Sequence, residues 1–509
     1  MTVLSYPTPA TDQDIEQLPK HPGIQGQAAE LITVNVLLGR YRYVAGLGWL
    51  EWRDGYWQDM PANKHTLRDS VRLYIVQHVD DLQRDGRADQ ATLWKALLTA
   101  ANVNGVISFC RDMHGVLTSH TELDTNPDVL NVRNGTLNLE TGMLNPHNPG
   151  LLLTKMAGAA YDPNARSTVW AKALSAIPPD VVDWFQLRVG QALTGHSEDS
   201  LVLTVGGGEN GKSAVMHAIM RALGTYAGAL SHRVLLQTMP GQHPTELMDL
   251  RGLRLALMEE TPEEGNLDTH ALKTVIGTPF ITARRMRQDS VTFPTTHSLF
   301  INTNHYPLVS TTDHGTWRRL RAVRFPYRFL PPGRTPNPER PMERAGDPDL
   351  KRQIGQDPTL PAAVLAWAVA GARRWYADPG ALHILPPGVA QASEAWRADS
   401  DVGYQFAADH LERSPGRYIA ASTLAGEFNA FLEHQGKRAW SNRVIAGRLP
   451  ASIKAALGVE TGVQVIKTDK GEASNPPTDQ WDKGANLFTP VAGKTVRAWT
   501  GIAFRQDRS

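Results

Sequence analysis

Hydrophobic and polar positions along the chain alternate between two periods. AAELITVNVLLG (28–39) repeats at helical spacing, while YRYVAGLGWLEWRDGYWQDM (41–60) alternates aromatic and polar residues around Gly and Asp-Gly turns, predicting a small antiparallel sheet. HTLRDSVRLYIVQHVDDLQ (65–83) and ADQATLWKALLTAANVNGVISF (88–109) return to helical spacing. NVRNGTLNLETGMLNP (131–146) reads as a hairpin turning at Asn134-Gly135, and WAKALSAIPPDVVDWFQLRVGQALTG (170–195) is again helical. Three short apolar runs, LVLTV (201–205), LRLALM (253–258) and HSLFIN (297–302), predict buried strands of an α/β sheet, with VMHAIMRAL (215–223) as an intervening helix. After the proline-rich PPGRTPNPERPMERAGDPD (331–349), read as a loop, come the helical LPAAVLAWAVAGARRWYADPG (360–380), FAADHLERS (406–414), ASTLAGEFNAFLEHQG (421–436) and NRVIAGRLPASIKAALG (442–458). Two strands, VETGVQVIKT (459–468) and KTVRAWTGIAFRQ (494–506), close the chain, so that several helices precede a two-stranded ribbon, the order of a winged helix-turn-helix.

These shifts divide the chain into a tail (1–25), a mainly helical α+β module (26–125), a hairpin and helical segment (126–195), a core (196–330), a linker with a helix (331–385) and a winged-helix-like domain (386–509). At 509 residues the chain exceeds what one core usually supports, in keeping with several domains. A formal net charge of +1 excludes a protein held on nucleic acid by bulk attraction, so any such contact must come from local clusters. The single cysteine, Cys110 in VISFC, cannot form an internal disulfide and reads as a buried thiol in a reducing compartment. No secretion-signal layout and no long uninterrupted apolar stretch occur, so no membrane partner is expected.

The core carries the chemistry. GGGENGKS (206–213) has the form G-x-x-x-x-G-K-S between a strand and a helix, which makes a polyphosphate cradle. Gly206, Gly207, Gly208 and Gly211 permit tight backbone turns, and the amides from Gly206 through Glu209, Asn210 and Gly211 to Ala214 converge on phosphate oxygens of ATP. Lys212 reaches the β and γ phosphates, and the Ser213 hydroxyl holds Mg²⁺. The acidic pair Glu259 and Glu260 ends the second core run; Glu259 is assigned to the metal through water and Glu260 to polarising the nucleophile. Asn304, ending the third, can bond both the γ-phosphate and the attacking water. Residues 281–330 hold eight arginines against two aspartates, net +6 in a nearly neutral chain. Of these, Arg318 and Arg319 suit an arginine finger supplied to a neighbouring subunit, and Arg284, Arg285 and Arg287 suit contact with a nucleic-acid backbone. Lys437, Arg438 and Arg443 lie near a possible recognition helix.

GGGENGKS, LALMEE, LKTVIGTPFITARR, FINTNHYP and TWRRLRAVRFP, in this order, closely resemble the ATPase core of superfamily 3 helicases, specifically those of phage and plasmid primase-helicase proteins and their poxvirus relatives. DVLNVRNGTLNLETGMLNPH with YDPNARSTVWAKAL, and RAWTGIAF near the end, extend the resemblance over about residues 125–509. It implies an AAA+-like P-loop ATPase assembling as a hexameric ring that moves 3′ to 5′ on single-stranded and forked DNA, in the cytoplasm of a bacterial host. By the same resemblance the arginines of ITARRMR fall at a basic motif for DNA handling. Many relatives carry an upstream primase domain, which needs metal-binding aspartates across a longer region; here the only early D-x-D, Asp12 and Asp14, lies in the proline-rich tail, so a separate primase, or none, is expected. Two other readings stay open: an origin-binding initiator or loader whose ATPase is an assembly switch, and an ATPase that senses foreign nucleic acid.

Overall fold

The computed structural model describes residues 23–61, 64–236, 245–259, 267–285, 290–309, 314–469, 471–476 and 487–506. Helix α1 (Ile24–Ile32) runs into a π turn and packs with α2 (His65–Arg84), α3 (Ala88–Lys95) and α4 (Ala100–Cys110). In α2 the buried residues Leu67, Val71, Ile75, Val79 and Leu82 recur every three or four positions, the stripe the sequence pattern predicts. The aromatic run forms the expected meander, β1 (Tyr41–Val44), β2 (Gly48–Arg53) and β3 (Tyr56–Asp59), its second turn made by Asp54 and Gly55 at φ 55° and 85°. A fourth strand, β4 (Leu117–Thr118), adds in parallel to β1. Cys110 is fully buried, and burial pushes its thiol up to about 12, which suits an inert core residue.

The next hairpin, β5 (Val129–Val132) and β6 (Gly135–Asn138), corrects the expected turn by one residue. Val132 pairs with Gly135, so the turn residues are Arg133 and Asn134. Gly135 sits in the strand at φ 150° because β7 (Leu144–Asn145) comes so close that a Cβ there would lie 2.2 Å from the Asn145 carbonyl oxygen. Helices α5 (Thr168–Leu174) and α6 (Pro179–Leu193) then lead into the central sheet.

That sheet is parallel throughout. Its strands are β8 (Leu201–Val205), β9 (Ala227–Ala229), β10 (Leu255–Glu259), β13 (Ser298–Thr303) and β14 (Leu320–Arg324), in the spatial order β14-β8-β13-β10-β9. Between them lie α7 (Lys212–Leu223), α8 (Thr269–Gly277), the antiparallel pair β11 (Phe280–Ala283) and β12 (Val291–Pro294), and the short α9 (His314–Trp317). Burial on both faces explains the unbroken apolar runs. Val202, Leu257, Phe300 and Val323 join the core under α6, α7 and a later helix, α11 (Leu360–Ala377), whereas Leu203, Met258, Ile301 and Ala322 join a second core with α8, the β11–β12 pair and Trp396.

The proline-rich stretch is not wholly irregular: β15 (Arg328–Leu330) pairs in parallel with β16 (Glu343–Ala345), ahead of α10 (Leu350–Gln356). Beyond α11 and α12 (Pro387–Ser400) the chain runs α13 (Val402–His410), β17 (Leu411–Ala420), α14 (Ala421–His434), α15 (Asn442–Leu457), β18 (Val463–Lys467), β19 (Glu472–Ala473) and β20 (Thr495–Phe504). Strand β17 replaces the helix expected through Ser414. Pro415 and Gly416 break its alternation, and a register shift between Arg413 and Tyr418 absorbs them, which hides the strand from a periodicity reading. No helix among the described residues is long and apolar enough to cross a membrane.

Candidate functional site

Because all five central strands run the same way, their carboxyl ends bring together Val205, Glu259, Thr303 and Arg324. Ligand crevices of open α/β sheets lie at such an edge. The loop leaving β8 is shaped by two of its four glycines. At Gly206 a Cβ would lie 2.5 Å from both Asn210 Nδ2 and the Phe325 carbonyl oxygen, and at Gly211, with φ 81°, it would lie 2.6 Å from Ala176 Cβ. Glu209 also takes a left-handed conformation, at φ 60°. Gly207 and Gly208 differ from the expectation of turns closed to side chains: neither has positive φ, and a Cβ on either meets nothing within 4 Å, so they line the open side of the loop.

Lys212, the first residue of α7, folds back beneath this loop. Its Nζ donates to the Gly206 carbonyl at 2.6 Å, to Asn304 Oδ1 at 3.0 Å and to Asn210 Oδ1 at 3.5 Å, all neutral acceptors. Burial of the ammonium lowers its pKa from 10.5 to about 8. Asn210 Nδ2, also buried, has no hydrogen-bond partner among the described residues. Among the described residues, a cation without a carboxylate partner, an unused amide donor and an open glycine rim together suit an oxyanion ligand. Ala214 is half-buried and Ser213 exposed on the next positions of α7. Among the described residues no cluster of three His, Cys, Asp or Glu could hold a metal, so a metal here would need the Ser213 hydroxyl, a carboxylate and ligand oxygens.

The strand ends supply a polar rung facing α7. Register aligns Thr204, Asn302 and Glu259 on β8, β13 and β10. Thr204 Oγ1 lies 3.3 Å from Asn302 Oδ1, Asn302 Nδ2 donates to Ser213 Oγ at 3.5 Å, and His217 Nε2 lies 3.0 Å from Glu259 Oε1. Asn304 therefore bonds Lys212, while Ser213 meets Asn302 and Glu259 meets His217 along the same face of α7; Glu260 lies outside the described residues. Asn302 and His217 are additions. Their signals were the strand period, two residues before Asn304, and the helix period, four residues after Ser213.

The arginines separate into groups. Leu320 pairs with Leu201, the first residue of β8, so Arg318 and Arg319 sit at the sheet end opposite the loop. Arg319 is held by Asp199 and by the Gly315 carbonyl oxygen at 2.7 Å; Arg318, with its side chain 61% exposed, lies 3.8 Å from the same aspartate. Arg284 and Arg285 are exposed beyond β11, and Arg287 lies outside the described residues. Two arginines not singled out from the sequence lie close to the loop: Arg324 pairs in register with Val205, the residue before it, and Arg328 Nε lies 3.2 Å from Glu209 Oε2. Lys437, Arg438 and Arg443 are exposed before and at the start of α15, near Arg448, which stacks over Trp440 at 5.7 Å.

Residues 34–177 match a family described as D5 N terminal like, and residues 204–319 match a family of unknown function (DUF5906). Over 308 residues the chain is 29% identical to a protein of African swine fever virus named as a primase, covering 58% of this chain and 32% of that protein. Over 463 residues it is 23% identical to a protein of Acanthamoeba polyphaga mimivirus named as a helicase, covering 83% of this chain and 47% of that one. The chain thus spans between a third and a half of the length of these relatives. An apo structure of the NrS-1 C terminal region aligns with 95% of this chain and 100% of its own, at 12% identity and a TM-score of 0.47. Residues 34–177 thus form a D5 N terminal like region, and parts of the chain are similar to proteins of large DNA viruses named as primases and helicases.

Proposed function

We propose that this chain is an ATP-dependent replicative DNA helicase of the superfamily 3 type, a hexameric ring moving 3′ to 5′ on single-stranded DNA at forks in phage or plasmid replication. The observation that carries the reading is Lys212, a buried ammonium beneath a glycine-rimmed loop whose acceptors among the described residues are all neutral. A polyphosphate supplies the missing negative charge. The order β14-β8-β13-β10-β9 supports an AAA+-like P-loop core, since it leaves the loop and the strand ends bearing Glu259 and Asn304 at one edge.

In this reading ATP supplies the phosphoanhydride whose hydrolysis drives movement; Ser213, and Glu259 through water, would hold Mg²⁺, which would supply neutralisation of phosphate charge. Lys212 and the amides from Gly206 to Ala214 bind and orient the triphosphate. Asn304 aligns the attacking water, Glu260 polarises it, and an arginine from the adjacent subunit completes the pocket. Arg318 is the better candidate for that arginine, because Arg319 is occupied by Asp199 and Gly315. Arg284, Arg285 and Arg287 contact the DNA backbone in the channel.

The test is ATP hydrolysis with and without single-stranded DNA, together with strand separation on forks of both polarities. Hydrolysis should be stimulated by the DNA strand and abolished in Lys212→Ala, and forks with a 3′ loading strand should open. A wild-type ring that hydrolyses ATP yet opens neither fork at any salt would overturn the helicase reading. A second reading, an origin-binding initiator, draws on the C-terminal unit: its helix–strand–helix–helix–strand order is that of a winged helix, and Lys437, Arg438 and Arg443 are exposed. Footprinting of the full chain on duplex DNA without ATP distinguishes it, since only an initiator protects one sequence over others.

A further inference from the structure

We propose that His217 is a positioning residue for Glu259, fixing the carboxylate that completes the Mg²⁺ site beside Ser213. The proposal rests on the nucleotide-site reading above and deepens it. Its basis is the pattern of contacts between α7 and the strand ends. Ser213 and His217 are four residues apart on α7, hence on one helix face, one turn apart. Opposite them, Asn302 and Glu259 are register partners on neighbouring strands, so their side chains leave the same face of the sheet. The two pairs meet in order: Asn302 Nδ2 bonds Ser213 Oγ at 3.5 Å, and His217 Nε2 bonds Glu259 Oε1 at 3.0 Å. Asn302 is in turn tied to Thr204 of β8 at 3.3 Å.

A carboxylate at a strand end, with its side chain 46% exposed, has rotamers that swing it into solvent. A ring N–H on Oε1 removes that freedom and leaves Oε2 to accept from water bound to a metal at Ser213. Groups behind a metal-binding carboxylate act in this way, and their loss commonly weakens metal binding by about 10- to 100-fold. His217 touches neither nucleotide nor attacking water in this scheme, so its effect falls on metal affinity and not on the binding of nucleotide alone. The side chain is 44% exposed, so replacing it leaves the core intact.

The experiment uses the full chain with His217→Ala and His217→Gln and reads binding of a fluorescent ATP analogue, first in EDTA and then across a Mg²⁺ titration. His217→Ala should leave the metal-free affinity within about twofold of wild type and raise the Mg²⁺ midpoint about 10-fold or more, while His217→Gln, which keeps an N–H donor, should recover most of that shift. An unmoved Mg²⁺ midpoint in His217→Ala overturns the proposal. Equal shifts in the two variants also overturn it, because a lost donor would then not be the cause. Failure of the underlying reading looks different: wild type then binds no analogue in either condition, or Lys212→Ala binds it as wild type does.

Discussion

At the residue scale, Lys212 shows how burial prepares a group for a ligand. Its ammonium is pushed from 10.5 to about 8 by desolvation, and its acceptors are neutral. Polyphosphate beside it favours the charged form, so the pKa must rise on binding. The sign follows from linkage: above about pH 8 the free site has lost its proton while the complex retains it, so binding takes up a proton and affinity falls with rising pH, by at most about tenfold per unit. Calorimetry in two buffers of different ionisation enthalpy at about pH 8.5 should show uptake approaching one proton, and at about pH 6.5 none. No uptake at the higher pH would mean that the lysine does not meet the phosphates.

At the scale of elements, α6, which precedes β8 in the chain, packs closely against α11. The two helices cross at glycines. A Cβ on Gly190 would lie 2.2 Å from the Ala372 nitrogen and from the Gly371 carbonyl carbon, and one on Gly371 would lie 2.2 Å from the Gln186 oxygen. Helix propensity taken alone makes Gly190→Ala favourable by about 1 kcal/mol. Packing decides otherwise: the methyl meets backbone, which cannot turn aside as a side chain can, and overpacking of this kind costs about 1–3 kcal/mol or more. Gly190→Ala should therefore lower the urea midpoint; a raised midpoint would show that the helices separate freely. The sequence marks both helices but is silent on this contact, which joins residues far apart in the chain.

At the scale of the whole molecule, the arginine pair poses a question of reach. From Leu201 to Val205 the sheet rises by four residues, roughly 13 Å at about 3.3 Å each, and Arg318 precedes the first of these rungs while the loop follows the last. Arg318 is therefore badly placed for the loop of its own chain, and under the proposed ring assembly it would serve the next one. Arg318→Ala should reduce ATP turnover about 10³-fold with folding unchanged, whereas Arg319→Ala, which breaks the ties to Asp199 and Gly315, should lower the melting temperature. Randomly mixed rings of Lys212→Ala and Arg318→Ala subunits restore an intact site at about a quarter of interfaces, and turnover should return in proportion. Mixed rings as inactive as either parent would place the finger elsewhere.

Local information was legible in the chain itself. The G-x-x-x-x-G-K-S loop, the meander around Asp54-Gly55, the stripe of α2 and the apolar core strands each depend on residues close in sequence, whose spacing and backbone preferences act before any distant contact forms. Strand β17 was hidden because Pro415 and Gly416 break its period, and the hairpin turn lies one residue earlier than expected because Gly135 pairs with Val132 inside the sheet, packed against β7. The composition of the site was a tertiary decision. Asn302, His217 and Arg328 reach it, and Arg319 is drawn away to Asp199, through strand order and register, which bring together groups from 42 to 120 residues apart. Residue identity determines what a side chain can do; only the order of the parallel strands determines which side chains meet, because that order is set by burying both faces of one sheet and not by any neighbour in the chain.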